Sequence, residues 1–463
     1  MSAPRSTPAE GILSPSYRLT TVGAFMLVFL GAFEALAVTT VMPIVSRDLD
    51  GESLYAIAFS GTLAASVVGM VVAGGWADRR GPSRPLVTAI VVFVVGLLVS
   101  GFATDMVVFI VGRLMQGLGT GAVSVCLYVV VARLYPAALH PPVFGAFAAA
   151  WVLPSLIGPP IAGLVAEEIS WHWVFLGVAV LSLAAAGAIL PALRQLWGAD
   201  GVASGPRMNA RGIAWALLLA VSVLVISLAG DAGGGLLWLV PVAAIAVVVA
   251  LRPLVPRGTL VVRRGLPAAV LLRGAVAAAF FGTEVYLPYF LTELYDLKAW
   301  LAGLILTVGA VSWALGSAFQ GRYGEQLTHE RAVRVGSALI LLGVGMQLVT
   351  ALFLLSPVIA AIGWFIAGGG MGLLFPRIST LVIAHSTEGT TGFNSAAASI
   401  ADSTGAATVI AFAGLLFTAV GAATGTVAGS ESFVATLILT TVVAALAVPI
   451  AHRVRSALEE RPV

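Results

Sequence analysis

Fourteen times along this chain, an apolar run long enough to cross a bilayer gives way to a short polar break. The runs lie near 19–45, 54–75, 85–103, 107–132, 142–166, 173–193, 212–229, 235–251, 267–291, 299–319, 335–354, 357–382, 393–418 and 433–451. About 30 Å of hydrocarbon needs roughly 20 residues of helix. Lipid offers no partner to a backbone N–H or C=O, so a spanning segment must satisfy its own, as a helix does. The expected fold is therefore an all-α membrane protein.

Composition narrows this further. Hydrophobic residues make up 59% of the chain and charged ones 10%, with a mean hydropathy of +1.04, where soluble domains carry roughly 25% charge. What remains outside the runs is too little for a sizeable soluble domain. Residues 1–17 are polar and the first run is longer than a signal-peptide core, so no cleaved leader is expected. The single cysteine, Cys126, sits inside an apolar run, which excludes an intrachain disulfide and a cysteine metal site. There is no Gly-x-x-x-x-Gly-Lys loop to hold ATP, no nucleophile triad and no metal-ligand cluster. Neither enzyme activity, nor a cofactor, nor a nucleic-acid partner is expected.

Orientation follows from basic residues, which favour the cytoplasmic side. With the N-terminus inside, only Arg47 and Lys298 of the 24 basic residues fall outside, and Arg113, Arg273 and Arg377 fall within spans. The others are cytoplasmic. The outer loops are acidic, with Asp48, Asp105, Asp231, Glu293 and Asp296, and Trp171, Trp173 and Trp300 sit at the outer interface. Two landmarks suggest an internal repeat: Pro43-x4-Asp48-Leu49 beside Pro288-x4-Glu293-Leu294, and Arg79-Arg80-Gly81 beside Arg322-Tyr323-Gly324. The implied units are a cytoplasmic tail (1–18), a six-span bundle (19–193), a linker with two additional spans (194–266), a second six-span bundle (267–452) and a cytoplasmic tail (453–463).

Several polar stretches interrupt this pattern. Gly74-Gly75-Trp76-Ala77-Asp78-Arg79-Arg80-Gly81-Pro82-Ser83-Arg84 packs charge into a turn between spans 2 and 3. Gly74, Asp78, Arg79 and Gly81 resemble the Gly-x-x-x-Asp-Arg-x-Gly signature of the major facilitator superfamily. Pro82 and Ser83 depart where basic residues are usual, and Arg84 supplies the charge. Span 4 reads Arg113-Leu114-Met115-Gln116-Gly117-Leu118-Gly119, with Gln116 and Gly117 on the face of Arg113. It resembles that superfamily's Arg-x-x-Gln-Gly-x-Gly signature, thought to couple proton binding to transport. The plainer alternative is a polar bridge between helices. An intramembrane Arg needs a partner, and Glu34, mid-way along span 1, is the natural one. A buried carboxylate beside an Arg is a group whose protonation can depend on conformation. Span 5 carries Gly158-Pro159-Pro160-Ile161-Ala162-Gly163, a step that kinks the helix and frees carbonyls. It is similar to the antiporter signature of the superfamily, although packing alone would also explain it.

The second half holds two more intramembrane acids, Glu284 in span 7 and Asp402 in span 11. Each reads as a second proton site, a cation-binding group or a polar helix contact, and Ser403 and Thr404 alone would satisfy Asp402. Arg377 either pairs with one of them or snorkels to the cytoplasm. The resemblance implies two six-helix bundles around a cavity, with the extra spans pointing to the fourteen-span drug:proton antiporters. The activity it implies is export of hydrophobic or amphipathic small molecules in exchange for protons, by a monomer among the lipids of the bacterial inner membrane. Lipid or glycolipid export, and less readily nutrient import, stay open. The implied proton-coupling residues are Glu34, Arg113, Glu284 and Asp402. The implied switch residues are Gly74, Asp78, Arg79, Gly81, Arg84, Gln116, Gly117, Gly158, Pro159 and Gly163, and Phe33, Trp151, Phe281, Tyr286 and Trp313 line the cavity. The extra pair, apolar and without buried charge, is expected on the flank, with Leu236, Leu237, Leu239, Val240, Ile245, Val247, Val248 and Val249 toward lipid.

Overall fold

A computed structural model describes residues 11–199, 210–230, 235–323, 326, 328–386, 390–426 and 428–454. Arg207, Asp231 and Gly324, and most of both tails, lie outside the described residues. Among those described, the regular structure is helical. The first half comprises α1 (Arg18–Asp48), α2 (Tyr55–Arg80), α3 (Ser83–Gly101), α4 (Met106–Leu134), α5 (His140–Val165) and α6 (His172–Ala199). Next come α7 (Ala210–Ala229) and α8 (Leu239–Leu251). The second half comprises α9 (Leu266–Tyr295), α10 (Ala299–Tyr323), α11 (His329–Phe353), α12 (Pro357–Ala384), α13 (Thr391–Thr424) and α14 (Ser430–Ala451).

Thirteen of these helices are long and apolar enough to cross a membrane. The run 235–251 behaves differently from the others. Its helix, α8, has 13 residues, or about 20 Å, and turns at 236–238 and 252–254 extend it. The helix α6, with Leu193 buried, continues past residue 193 to Ala199. The sequence places the linker by loss of hydrophobicity, whereas a helix can outrun the membrane.

The halves repeat one packing scheme. In the first, α1 packs on α5 and α6, α2 on α4, and α3 on α4 and α6. In the second, α9 packs on α13 and α14, α10 on α12, and α11 on α12 and α14. The start of α1 lies by the end of α4, where Thr21 Oγ1 is 2.8 Å from the Tyr135 hydroxyl. The start of α9 lies by the end of α14, where Gly265 N–H donates to the Arg453 carbonyl at 3.0 Å. The far ends of α1 and α9 meet through Arg47 and Glu293, 3.7 Å apart. Both halves therefore run parallel, with a terminal face that carries the starts of α1 and α9 and an opposite face.

In lipid, helices gain nothing by hiding apolar surface from each other, and close backbone approach at small residues drives their association. Gly117 and Gly121 of α4 abut the backbone of Thr62 and Ser66 on α2. Gly316, Gly368 and Gly372 do the same between α10 and α12.

The insert uses such a seam. α7 packs on both α2 and α13, so it covers the line where the two bundles meet on one flank. Leu219, Val223 and Ile226 are fully buried there with Ala64, Val67, Ala407 and Ala411. Ser60 and Ser227 hydroxyls lie 2.8 Å apart. α8 packs on α7 and turns Val242, Ile245, Val248 and Val249 outward. Val247, expected toward lipid, is buried instead, since it falls on the face of α8 that α7 occupies. A Ser60→Cys/Ser227→Cys pair is expected to cross-link almost completely under mild oxidation in membranes, because Cys126 is buried and cannot compete. The measurement is loss of maleimide labelling, and persistent double labelling would show that α7 sits elsewhere.

Candidate functional site

The Arg113 and Glu34 side chains meet. Arg113 Nη1 donates to Glu34 Oε1, joining α4 to α1, and each residue is 3% exposed. A guanidinium in this setting must fill its remaining donors. Nη1 also donates to Gln116 Oε1 at 2.5 Å, and Nε donates to the Ala58 carbonyl of α2 at 3.2 Å. Gln116 in turn donates through Nε2 to Ser100 Oγ at 2.9 Å and to the Gly96 carbonyl at 3.1 Å on α3. Four helices thus converge on one ion pair, and the i, i+3 spacing of Arg113 and Gln116 is what holds it. Gly117, one residue on, lets α2 come close enough for the Ala58 contact.

A second ion pair occupies the other half. Arg273 Nε donates to Asp402 Oδ2 at 2.7 Å, joining α9 to α13. Arg273 Nη1 donates to Ser379 Oγ of α12 at 3.0 Å, and the guanidinium lies 4.3 Å from the Phe375 ring centre. Asp402 Oδ1 is buried without a hydrogen-bond partner. Ser403 and Thr404 therefore do not satisfy Asp402: Ser403 Oγ instead receives a bond from Ser66 at 3.4 Å. Arg377 takes neither acid and faces His329 Nδ1 at 3.2 Å. Sequence reasoning missed Arg273 as the partner. The signal was present: Arg273 stands two turns into α9 and Asp402 three turns into α13, and both helices start on the terminal face.

Glu284 sits half-way along α9, partly exposed, with no ion pair or hydrogen bond among the described residues. Phe281, one turn earlier, is also partly exposed.

The α5 step works as its prolines require. Pro160 has no N–H for the Leu156 carbonyl, and the Thr307 hydroxyl of α10 lies 3.3 Å from that oxygen. Gly163 lets the Trp300 backbone approach, Pro159 abuts Gly303, and Gly158 leaves room for the Phe33 ring, 3.4 Å from where a Cβ would stand. The same seam continues toward the opposite face, where the Glu167 carboxylate accepts the Ala299 N–H at 2.5 Å. Nearby, Tyr55 donates to the Val285 carbonyl at 2.8 Å, its ring packed on Tyr286 and Tyr289.

This closure is one-sided. Near the opposite face, a Cβ at Gly163, Gly303 or Gly414 would strike the other half. Near the terminal face, a Cβ at Gly145 of α5, Gly321 of α10 or Gly392 of α13 would meet nothing within 4 Å. The bundles are joined above and splayed below. Asp78 and Arg84 are exposed on the splayed side, Arg79 is partly buried, and among the described residues Asp78 has no hydrogen bond to the start of α13. Gly81 ends α2 at φ +80°, a conformation glycine adopts without strain, and Gly74 has only Val125 near it.

Among the expected cavity residues, Trp151 is 52% exposed, and Phe33, Phe281 and Trp313 are partly so. Tyr286 is corrected. It is 2% exposed, enclosed by Tyr55 and Phe417, because its face of α9 closes on α2 and α13 and not on open space.

The family model of the Major Facilitator Superfamily matches residues 24–409. The chain belongs to that superfamily. It is a multi-pass membrane transporter and not an enzyme. It is 25% identical over 390 residues to the multidrug transporter protein MdtP of Bacillus subtilis, covering 80% of this chain and 69% of that one. It is 20% identical to the multidrug efflux pump SdrM of Staphylococcus aureus, covering 79% and 81%. Among solved structures, a POT family transporter in complex with a thioalcohol-conjugated peptide superposes with a TM-score of 0.69 at 14% identity, covering 94% and 96%. The xylose transporter XylE of E. coli, in a partially occluded inward-open conformation, gives 0.61 at 13%, covering 92% and 96%. These last two speak to the fold alone.

Proposed function

We propose that this transporter exports hydrophobic or amphipathic small molecules, drugs among them, from the bacterial cytoplasm in exchange for protons. The terminal face is the cytoplasmic one, so the splayed state is inward-open, and the chain works as a monomer in the inner membrane by alternating access. The observation that carries this reading is the Glu34–Arg113 pair. It is buried half-way along α1 and two turns into α4, and Gln116 ties it to a third helix. A carboxylate there exchanges its Arg contact for a proton only when the surrounding helices shift. Arg273–Asp402 is a second such pair, one of whose carboxylate oxygens is already unbonded. The Bacillus and Staphylococcus relatives, named for multidrug transport, support the substrate class.

The driving force is sufficient. One proton entering down 100 mV supplies about 2.3 kcal/mol, which sustains a roughly 50-fold ratio of a neutral compound. The test is a panel of fluorescent amphipathic compounds in proteoliposomes with an imposed pH gradient. Accumulation that collapses when a protonophore is added is expected. Equal accumulation with and without the gradient would refute proton coupling.

A further inference from the structure

The loop that joins α8 to α9, from Arg252 to Gly265 on the terminal face, is built more firmly than a connection requires. Leu254, Val255 and Thr259 are buried, and Thr259 Oγ1 donates to the Pro256 carbonyl at 2.7 Å. Three residues have positive φ: Gly258 at +92°, Val262 at +52° and Gly265 at +85°. Glycine takes such angles freely. Val262 is β-branched, and a β-branched residue in the left-handed region is strained. Strain of this kind tends to mark functional segments.

What this backbone presents is cationic. Arg252, Arg257, Arg263 and Arg264 are exposed, and the stem of Arg263 lies against Gly258, where a Cβ would meet it at 2.9 Å. Arg453, just past the end of α14, joins them. Its Nη1 donates to the Val262 carbonyl at 3.3 Å, and its own carbonyl accepts the Gly265 N–H at 3.0 Å. Among the described residues none of the five forms an ion pair. Beside them stands Val261, 73% exposed. The patch lies at the rim of the molecule, because the loop leaves α8, which packs on α7 and turns Val248 and Val249 outward. A soluble anion gains nothing from a bare valine. A bilayer interface does, with phosphate at the level of the guanidinium groups and acyl chains beneath for the valine and the arginine stems. Each basic residue near an anionic leaflet strengthens association roughly fivefold, so unpaired arginines on one fixed loop favour anionic over zwitterionic lipid.

We propose that the α8–α9 loop and the end of α14 form a binding site for an anionic phospholipid, with the phosphate held by Arg257, Arg263, Arg264 and Arg453 and the chains beside Val261 and α8. An occupied site fastens the start of α9, two turns before Arg273, to the end of α14. The inference goes beyond the transport role proposed above and uses neither its substrate nor its coupling. It takes from that reading only that the terminal face is cytoplasmic, where the leaflet is negatively charged.

The test is lipid binding to the purified full-length chain in detergent, followed by native mass spectrometry, where both faces meet the lipid and orientation plays no part. The probes are phosphatidylglycerol and phosphatidylcholine with the same acyl chains, and glycerol phosphate as the soluble headgroup alone. The wild type is expected to prefer phosphatidylglycerol by roughly tenfold or more, and glycerol phosphate should not displace it. Arg257→Gln/Arg263→Gln/Arg264→Gln should weaken that binding by roughly tenfold or more. The same three positions as Lys should stay within a few-fold of wild type. Arg322→Gln, exposed on the same face, should bind as the wild type does. Should the triple Gln variant not purify as monodisperse protein, a photoactivatable phosphatidylglycerol serves instead: its adducts on the wild type should fall on the loop between α8 and α9 or beside Arg453. Equal binding of the two lipids, displacement by glycerol phosphate, an unaffected triple Gln variant, an equal loss in the Lys variant or in Arg322→Gln, or adducts confined to other segments would each overturn the proposal. Selective binding by a protein that fails to use a pH gradient would sink the coupling reading and leave this one standing.

Discussion

Glu34→Gln is expected to abolish uphill export and to leave downhill exchange of substrate intact. The carboxylate is 3% exposed and bonded to Arg113, so any proton it takes must enter when the pair opens. The amide has the same shape and still accepts from Arg113, but it can neither gain nor lose a proton. In inverted vesicles under a 100 mV potential, the accumulation ratio of a neutral compound exchanged for one proton should fall from roughly 50-fold to about 1. Removing one charge from a buried pair typically costs 3–5 kcal/mol, so the variant should also melt earlier. Gln116 and the Ala58 carbonyl remain as acceptors for Arg113 and should limit that loss. Normal pH-driven accumulation by Glu34→Gln would remove Glu34 from the mechanism. A loss of exchange as well as of accumulation would assign it to substrate movement in general.

That pair was legible in the sequence because charge in hydrocarbon has few options. An Arg and a Glu inside spans 4 and 1 had to find each other or water, and the i+3 glutamine marked the face. The same rule applied to Arg273 and Asp402, yet the partnership was hidden. Arg273 falls within a span but near its start, and only the relative register of α9 and α13 puts it level with Asp402. Tyr286 failed for a different reason. Spanning helices are apolar on every side, so no periodicity tells which face meets the cavity and which meets the other bundle, and in this conformation the Tyr286 face is closed. The position of α7 was legible only as an exclusion, since it carries no charge for a cavity to use. Its seat on α2 and α13 is set by Ser60, Ser227 and matching small residues, features that a hydropathy profile averages away. Packing of this kind is decided by van der Waals fit between backbones, and the sequence records it only as scattered Gly, Ala and Ser.

The second ion pair separates structure from coupling through a double-mutant cycle. Arg273→Gln leaves Asp402 with an unmet charge, and Asp402→Asn leaves Arg273 with Ser379 and the Phe375 ring alone. Each single variant should lose about 3–5 kcal/mol of stability, visible as a melting transition several degrees lower in detergent. The double variant has no buried charge at this site, and the two amides can bond each other, so most of that loss should return. Transport then decides the role. If Arg273–Asp402 only braces α9 against α13, the refolded double variant should pump as the wild type does. On the reading proposed here the pair also answers to protons, since Asp402 Oδ1 is buried and unbonded beside the Ser66–Ser403 contact that links the two halves. The double variant should then be stable, exchange substrate downhill, and accumulate it several-fold less under the same gradient. The cycle has its own control in the first half, where the Glu34→Gln/Arg113→Gln pair should behave in the same direction and more severely, because four helices meet there and three meet here.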